Sequence, residues 1–103
     1  MAAFQPTDYQ DAFTRLNGET ARIPWRTLEP WFAKGDTLQV DATLDLVAVA
    51  ASLATDDAAR VRGWLDSALL QPVPVEQAAR WQQQDTEVWA VVVLPWILVQ
   101  HKA

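Results

Sequence analysis

The stretch VWAVVVLPWILV, residues 88–99, determines how the rest of the chain can pack. It is apolar throughout, rich in Val, and contains two Trp residues. Because β-branched and aromatic residues favour strands, the run predicts a strand buried on both faces. Pro95 cannot donate to a sheet ladder and belongs at a bend or a strand end. We therefore expect a strand from about Val88 to Leu94, a kink at Pro95, and a continuation from Trp96 to Gln100.

Length and composition narrow the class of protein. The chain has 103 residues, half of them hydrophobic, which suits a single domain over residues 1–103 with residues 1–6 frayed. The chain contains no Cys, so a disulfide is excluded, and this composition suits the cytoplasm. The N-terminal residues resemble no signal peptide, and the apolar run is shorter than the about 20 residues of a membrane helix. We expect a cytoplasmic protein that does not enter a membrane.

Helical patterning marks the N-terminal third. Thr7 suits a helix N-cap, and apolar residues follow it at helical spacing. Ile23-Pro24 breaks this helix, because the residue before a proline avoids the helical region. A second helix is expected from Pro24 to about Lys34, and within it Pro30 predicts a kink or two short turns.

The remaining elements give an order of strands and helices that suggests a fold. We predict a short strand around Leu38 and Val40, and a central helix over residues 44–54 capped by Thr43. An amphipathic helix after Asp56-Asp57, an edge strand over residues 69–71 and a short helix from Pro74 follow. Residues 37–100 match the order of a winged helix. We therefore predict an α+β, winged-helix-like fold, with helices around a small three-stranded antiparallel sheet and a buried C-terminal strand.

Three segments carry a resemblance to a known family. They are LNGETARIPWRTLEPWFAKG (residues 16–35), LDLVAVAASLATDDAARVRGWLDSALL (44–70) and EVWAVVVLPWILVQ (87–100). Together, and above all in ETARIPW and WAVVV-PW, they resemble a small bacterial family of uncharacterised domains. The resemblance implies no activity and no functional residues. Pro30, and Pro72 with Pro74, depart from the family pattern, in the second helix and the middle strand respectively.

Residues able to carry catalysis are sparse. His101 is the single histidine, near the C-terminus, and a Ser-His-Asp arrangement would need it together with Ser52 or Ser67. Without Cys, thiolate catalysis is excluded and a zinc site lacks its usual ligands. Asp56 and Asp57 are explained by a helix start, where acidic residues stabilise the first turn. We predict a non-enzymatic protein with no catalytic residues, no cofactor and no metal.

Net charge bears on the choice of partner. The chain carries −5 at pH 7, and its basic residues form no run, which argues against binding a phosphate backbone. The winged-helix order keeps a nucleic-acid-binding regulator open as an alternative, with residues 57–68 as the recognition helix. A small-ligand or enzymatic domain is the other alternative, and it would need a polar pocket around Glu19, Arg22 and Trp25. Glu19, Thr20 and Arg22 can instead hold the helix junction together by capping and ion pairing, which is the interpretation we prefer.

The six Trp residues give the best functional lead. Trp64, Trp89 and Trp96 lie in strongly apolar stretches and are expected in the core. Trp25, Trp31 and Trp81 lie in less regular apolar patterns. Each of them can cover the open end of a small core, or it can lie exposed beside an Arg, which is typical of protein interfaces. We predict an interaction module that binds a protein partner or a second copy of itself, through an exposed patch containing Trp31 or Trp81. The candidate surface comprises Trp31, Trp81, Arg26, Glu19, Arg22 and Trp25.

Overall fold

The computed structural model describes residues 6–102, and over that range the chain forms five α-helices and five strands. The helices are α1 (Pro6–Glu19), α2 (Glu29–Ala33), α3 (Leu46–Ala54), α4 (Ala58–Asp66) and α5 (Val75–Gln83), and a 3₁₀ turn spans Trp25–Leu28. The strands are β1 (Ala21–Pro24), β2 (Thr37–Val40), β3 (Leu70–Pro72), β4 (Glu87–Val93) and β5 (Trp96–Gln100). The predicted α+β class is confirmed.

The five strands form one mixed sheet in the order β1-β4-β5-β2-β3. The central strand β5 runs antiparallel to β4 and parallel to β2, and β1 and β3 form the two edges. The prediction of a three-stranded antiparallel sheet is therefore wrong, and the winged-helix arrangement is not confirmed. The sequence analysis did not predict β1, because its four residues end in Ile23-Pro24, a pair that indicates a break before a helix.

The apolar stretch that opened the sequence analysis forms a hairpin rather than one kinked strand. The chain reverses at Leu94-Pro95, which are joined by a cis peptide bond, and Val93 pairs with Trp96 across the turn. A proline fits this place because it cannot donate to the ladder. The prediction of a buried C-terminal strand is confirmed for β5, in which Ile97–Gln100 are all buried.

Each face of the sheet covers its own core. On one face α1 and α3 pack against the strands, and α4 contacts both α3 and β3; this core includes Leu16, Val49, Val91 and Leu98. On the other face the 3₁₀ turn and α5 cover a second core. The buried members of the second core are Trp25, Leu28, Val73, Ala78, Trp81, Val88, Ala90, Ile97 and Val99. Helix α3 is buried over most of its surface, as its continuous apolar sequence predicts.

The N-terminal half departs from prediction in its boundaries. Helix α1 begins at Pro6, so Thr7 lies inside the helix and is not its N-cap. The frayed segment predicted for residues 1–6 falls outside the described residues, apart from Pro6. The predicted helix over 24–34 is split into the 3₁₀ turn and α2, as Pro30 indicates, because a proline is tolerated only in the first turn of a helix.

Two aspartates begin the helices at the centre of the chain. Asp45 caps α3 and accepts hydrogen bonds from the backbone N–H groups of Val47 and Ala48, at 3.0 and 3.3 Å. The prediction of Thr43 as this cap is wrong, because its hydroxyl donates to Asp41 instead. Asp57 caps α4 by accepting from the backbone N–H of Arg60. The cap assigned to the Asp56-Asp57 pair is therefore correct for Asp57.

Candidate interaction surface

Two of the tryptophans predicted for the surface lie in the core. Trp25 and Trp81 pack edge to face, with ring centroids 5.1 Å apart, and Phe32 lies 5.5 Å from Trp25. The exposed fraction of Trp81 is 3%. The prediction that Trp25 and Trp81 lie on the surface is therefore wrong. The two indoles pack together over the second face of the sheet, and their burial there removes a large apolar area from water.

Trp31 does lie at the surface, as predicted. Its exposed fraction is 39%, and it projects from α2 beside a groove of about 270 Å³. We call this cavity the Trp31 groove. Its lining is largely apolar and includes Ala21, Ile23, Leu28, Trp31 and Val92, with Glu19 at the rim.

Two exposed residues of the β4–β5 hairpin adjoin the Trp31 groove. Val92 is 48% exposed and Leu94, in the turn, is 86% exposed. A neighbouring hollow is lined by Val92, Leu94 and the α1 residues Arg15 and Glu19. Sequence reasoning missed both apolar residues, because the run 88–99 has no polar alternation to show which positions face water.

The charged residues of the predicted surface form exposed ion pairs. Arg15 pairs with Glu19 at 3.4 Å, Arg22 with Glu87 at 3.5 Å, and Arg26 with Asp85 at 2.8 Å. All six side chains are more than half exposed, so each pair contributes about 1 kcal/mol or less to stability. Within each pair the two charges balance.

The polar pocket considered around Glu19, Arg22 and Trp25 is not formed. Glu19 is paired with Arg15, while Arg22 is paired with Glu87 and lies 5.9 Å from the Trp89 ring centroid. Thr20, beside them in sequence, donates to the Leu16 carbonyl at 2.8 Å. These side chains turn to separate partners because α1 ends and β1 begins between them.

Trp89 is a second exposed tryptophan, and its predicted place in the core is wrong. It lies on the β4 face opposite to Val92, in a shallow hollow lined also by Thr20, Asp45, Gln100 and Lys102. Arg22 pairs with Trp89 in the β1–β4 register, and its guanidinium lies over the exposed indole ring.

The side chains considered for catalysis have other contacts. The Ser52 hydroxyl donates to the Ala48 carbonyl, and that of Ser67 donates to the Gly63 carbonyl. The His101 ring lies 6.1 Å from that of Trp81. Within residues 6–102, no group of three or more His, Cys, Asp or Glu side chains is placed to hold a metal ion. None of the helices described there has the length and apolar character needed to cross a membrane.

Comparison with known proteins places the chain in a family. No curated protein matches it. The NMR solution structure of PA1075 from Pseudomonas aeruginosa is similar over 99% of this chain and 94% of that chain, with 42% sequence identity and a TM-score of 0.79. A family model described as a protein of unknown function, DUF2288, matches residues 11–101. The resemblance to a family of uncharacterised domains is thus confirmed, and the chain belongs to the DUF2288 family.

Proposed function

We propose that this protein is a non-enzymatic module that binds a partner protein through the Trp31 groove. The observation that carries the proposal is that exposed apolar side chains line adjoining hollows: Trp31 and Val92 line the Trp31 groove, and Val92 lines the neighbouring hollow with Leu94. Single exposed hydrophobic residues are ordinary, but a contiguous apolar patch with a polar rim is typical of interaction sites. Trp is also the residue most enriched among interface hot spots.

Three exposed ion pairs favour a protein partner over a nucleic acid. Arg15, Arg22 and Arg26 are each paired with a carboxylate, so none of them offers an unneutralised cation to a phosphate backbone. The nucleic-acid alternative has no comparable support among the described residues, and we do not propose it. We retain the cytoplasm as the predicted location, because a chain without Cys suits a reducing compartment.

The proposal is tested by comparing two variants of matched exposure. Trp31→Ala removes the groove's aromatic wall, whereas Leu65→Ala removes an apolar side chain that is 48% exposed on α4. The immobilised wild-type chain is used to capture partners from the native cytosol, and the affinity of the recurrent partner is then measured with each purified variant. We expect Trp31→Ala to weaken binding about 30-fold or more, and Leu65→Ala to change it less than about threefold.

Solution mass is measured on the same samples. A recurrent partner that binds Trp31→Ala as tightly as the wild type would contradict the proposal. So would a partner that is lost equally from both variants, because the contact would then not be specific to the groove.

A further inference from the structure

We propose that the partner binds as an extended strand, which adds to the sheet beside the free end of β4 and places alternate apolar side chains in the Trp31 groove. This inference rests on the proposed function and specifies the form of the partner. In strand addition, backbone hydrogen bonds supply affinity and pockets for alternate side chains supply specificity. Both an unpaired length of strand backbone and an apolar groove lie at this corner of the sheet.

The direction of the β4 backbone groups follows from two hydrogen bonds. The Trp25 N–H donates to the Thr86 carbonyl at 2.9 Å, and backbone groups alternate in direction along an antiparallel strand. The even-numbered residues of β4 therefore turn their N–H and C=O groups towards β1. The Ile97 N–H donates to the Asp36 carbonyl at 2.9 Å, so the backbone groups of Ile97 face β2. The backbone groups of the residues on either side of Ile97 therefore face β4. The two observations agree: in both, the backbone N–H and C=O groups of Val91 face β5, and those of Val92 face away from it.

Strand β1 ends before it reaches Val92. The last pair in the β1–β4 register is Ala21 with Ala90, and the position opposite Val92 falls on Glu19, the last residue of α1. No hydrogen bond outside the ladders, from any residue in the range 6–102, involves the Val92 backbone. Its N–H and C=O groups thus point to the β1 side of β4, where no described backbone group pairs with them.

The side-chain pattern matches this backbone edge. Val92 lies on the same face of β4 as Val88 and Ala90, the face that carries the Trp31 groove. A guest residue hydrogen-bonded to Val92 in an antiparallel pair places its side chain on that face too. Its apolar side chain then lies against Trp31, while the next guest residue points to the opposite face, near Arg15 and Glu19.

The charge and the β1 edge favour a different protein over a second copy. The chain has a net charge of −5, which repels another copy and attracts a basic segment. By the same alternation, the backbone groups of Arg22 and Pro24 face the outer side of β1, and Pro24 has no N–H to donate there. Two β1 strands therefore pair poorly with each other. The expected occupant is an extended segment with apolar residues at alternate positions and basic residues between them.

The test uses the ¹⁵N-labelled protein and synthetic peptides. The probe is a capped eight-residue peptide of alternating valine and lysine, and its control is a scrambled peptide with four valines followed by four lysines. Two further peptides carry N-methyl groups, one on the valines and the other on the lysines. In an antiparallel pair with Val92, the valine N–H groups face β4 and the lysine N–H groups face away.

We expect the alternating peptide to shift the amide resonances of residues 91–94 and the indole N–H resonance of Trp31. N-methylation of the valines should weaken binding at least about tenfold, because it removes the donors that face β4, whereas N-methylation of the lysines should change it less than about threefold. The proposal is overturned if the peptide does not bind at millimolar concentration, if the scrambled peptide binds equally, or if both methylated peptides bind alike.

The outcomes separate this inference from the proposed function. If the captured partner depends on Trp31 while methylation of the valines has no effect, the groove binds a partner in another conformation, and strand addition alone is wrong. If the Trp31→Ala variant retains the captured partner, the proposed function fails. A dimer in the absence of peptide that Val92→Lys abolishes would show a second copy as the occupant, and would overturn the assignment to a different protein.

Discussion

The indole rings of Trp25 and Trp81 pack edge to face, with centroids 5.1 Å apart, although the residues come from a 3₁₀ turn and from α5. The pair covers one face of the sheet and is almost completely buried. A further link joins the same two regions: the Trp25 N–H donates to the carbonyl of Thr86, just before β4. Aromatic packing and backbone pairing therefore hold the second core together.

The first prediction concerns the difference between Trp81 and Trp31. Trp81→Ala should lower the free energy of unfolding by about 3–5 kcal/mol, because it leaves a cavity in the second core. Trp31→Ala should lower it by about 1 kcal/mol or less, because Trp31 is partly in water. Urea denaturation of both variants measures the two values. Equal losses would contradict the assignment of one residue to the core and the other to the surface.

The second prediction concerns the buried Gln100 side chain. Its Nε2 donates to the carbonyls of Asp41 and Leu44, at 2.9 and 2.8 Å, and so ties β5 to the loop before α3. Gln100→Leu removes both donors and should lower the free energy of unfolding by about 1–3 kcal/mol. Gln83→Leu, on the exposed side of α5, is the matched control and should have little effect. Chemical denaturation measures both; an unchanged midpoint for Gln100→Leu would show that the two bonds do not stabilise the loop.

The third prediction concerns the carboxyl group of Asp41. The Thr43 hydroxyl and then the Thr43 backbone N–H donate to it, and these bonds lower the pKa of Asp41 below its ordinary value of 3.8. Because the folded pKa is lowered, the stabilising contribution is present above pH 3.8. It is lost as the pH falls through the folded pKa.

Thr43→Val tests this, since it removes the hydroxyl and leaves the backbone N–H in place. The pKa of Asp41, measured by NMR titration of its carboxyl carbon, should rise part of the way towards 3.8. Thr55→Val is the control, because the Thr55 hydroxyl donates to the Ala51 carbonyl. An unchanged Asp41 pKa in Thr43→Val would assign the shift to some other group.

The fourth prediction concerns the cap of α3. Asp45→Ala removes the acceptor for two backbone N–H groups and should lower the free energy of unfolding by about 1 kcal/mol. Asp66→Ala, at the C-terminal end of α4, should leave stability unchanged or slightly raised, because an acidic group there opposes the helix dipole. Thermal unfolding followed by circular dichroism distinguishes the two. A larger loss for Asp66→Ala would contradict the capping assignment.

Local features of the fold could be predicted from the sequence with good accuracy. The continuous apolar run over 44–54 indicated the central buried helix, and Pro30 indicated the division of the second helical segment. Pro72 restricted β3 to a sheet edge, where the structure places it. Each of these three features follows from the conformational limits of one residue or from the pattern within one element. None of them depends on distant parts of the chain.

The candidate site was predictable only in part. Trp31 and Trp81 both stand in mixed apolar and polar surroundings, and nothing within a few residues distinguishes them. Trp81 is buried because α5 places it against Trp25 over the sheet, whereas Trp31 borders a groove that no element within residues 6–102 fills. Val92 looked like a core residue for the corresponding reason: its exposure depends on where β1 ends.

By itself, the sequence determined that residues 96–100 form a buried strand, that residues 46–54 form a buried helix, and that Pro30 divides the second helical segment. Tertiary structure alone decided the strand order, the parallel pairing of β2 with β5 and the end of the β1–β4 pairing before Val92. The physical reason is that propensity and periodicity act over a few residues. Strand pairing and burial depend instead on contacts between segments far apart in the chain, such as Ala21 with Ala90.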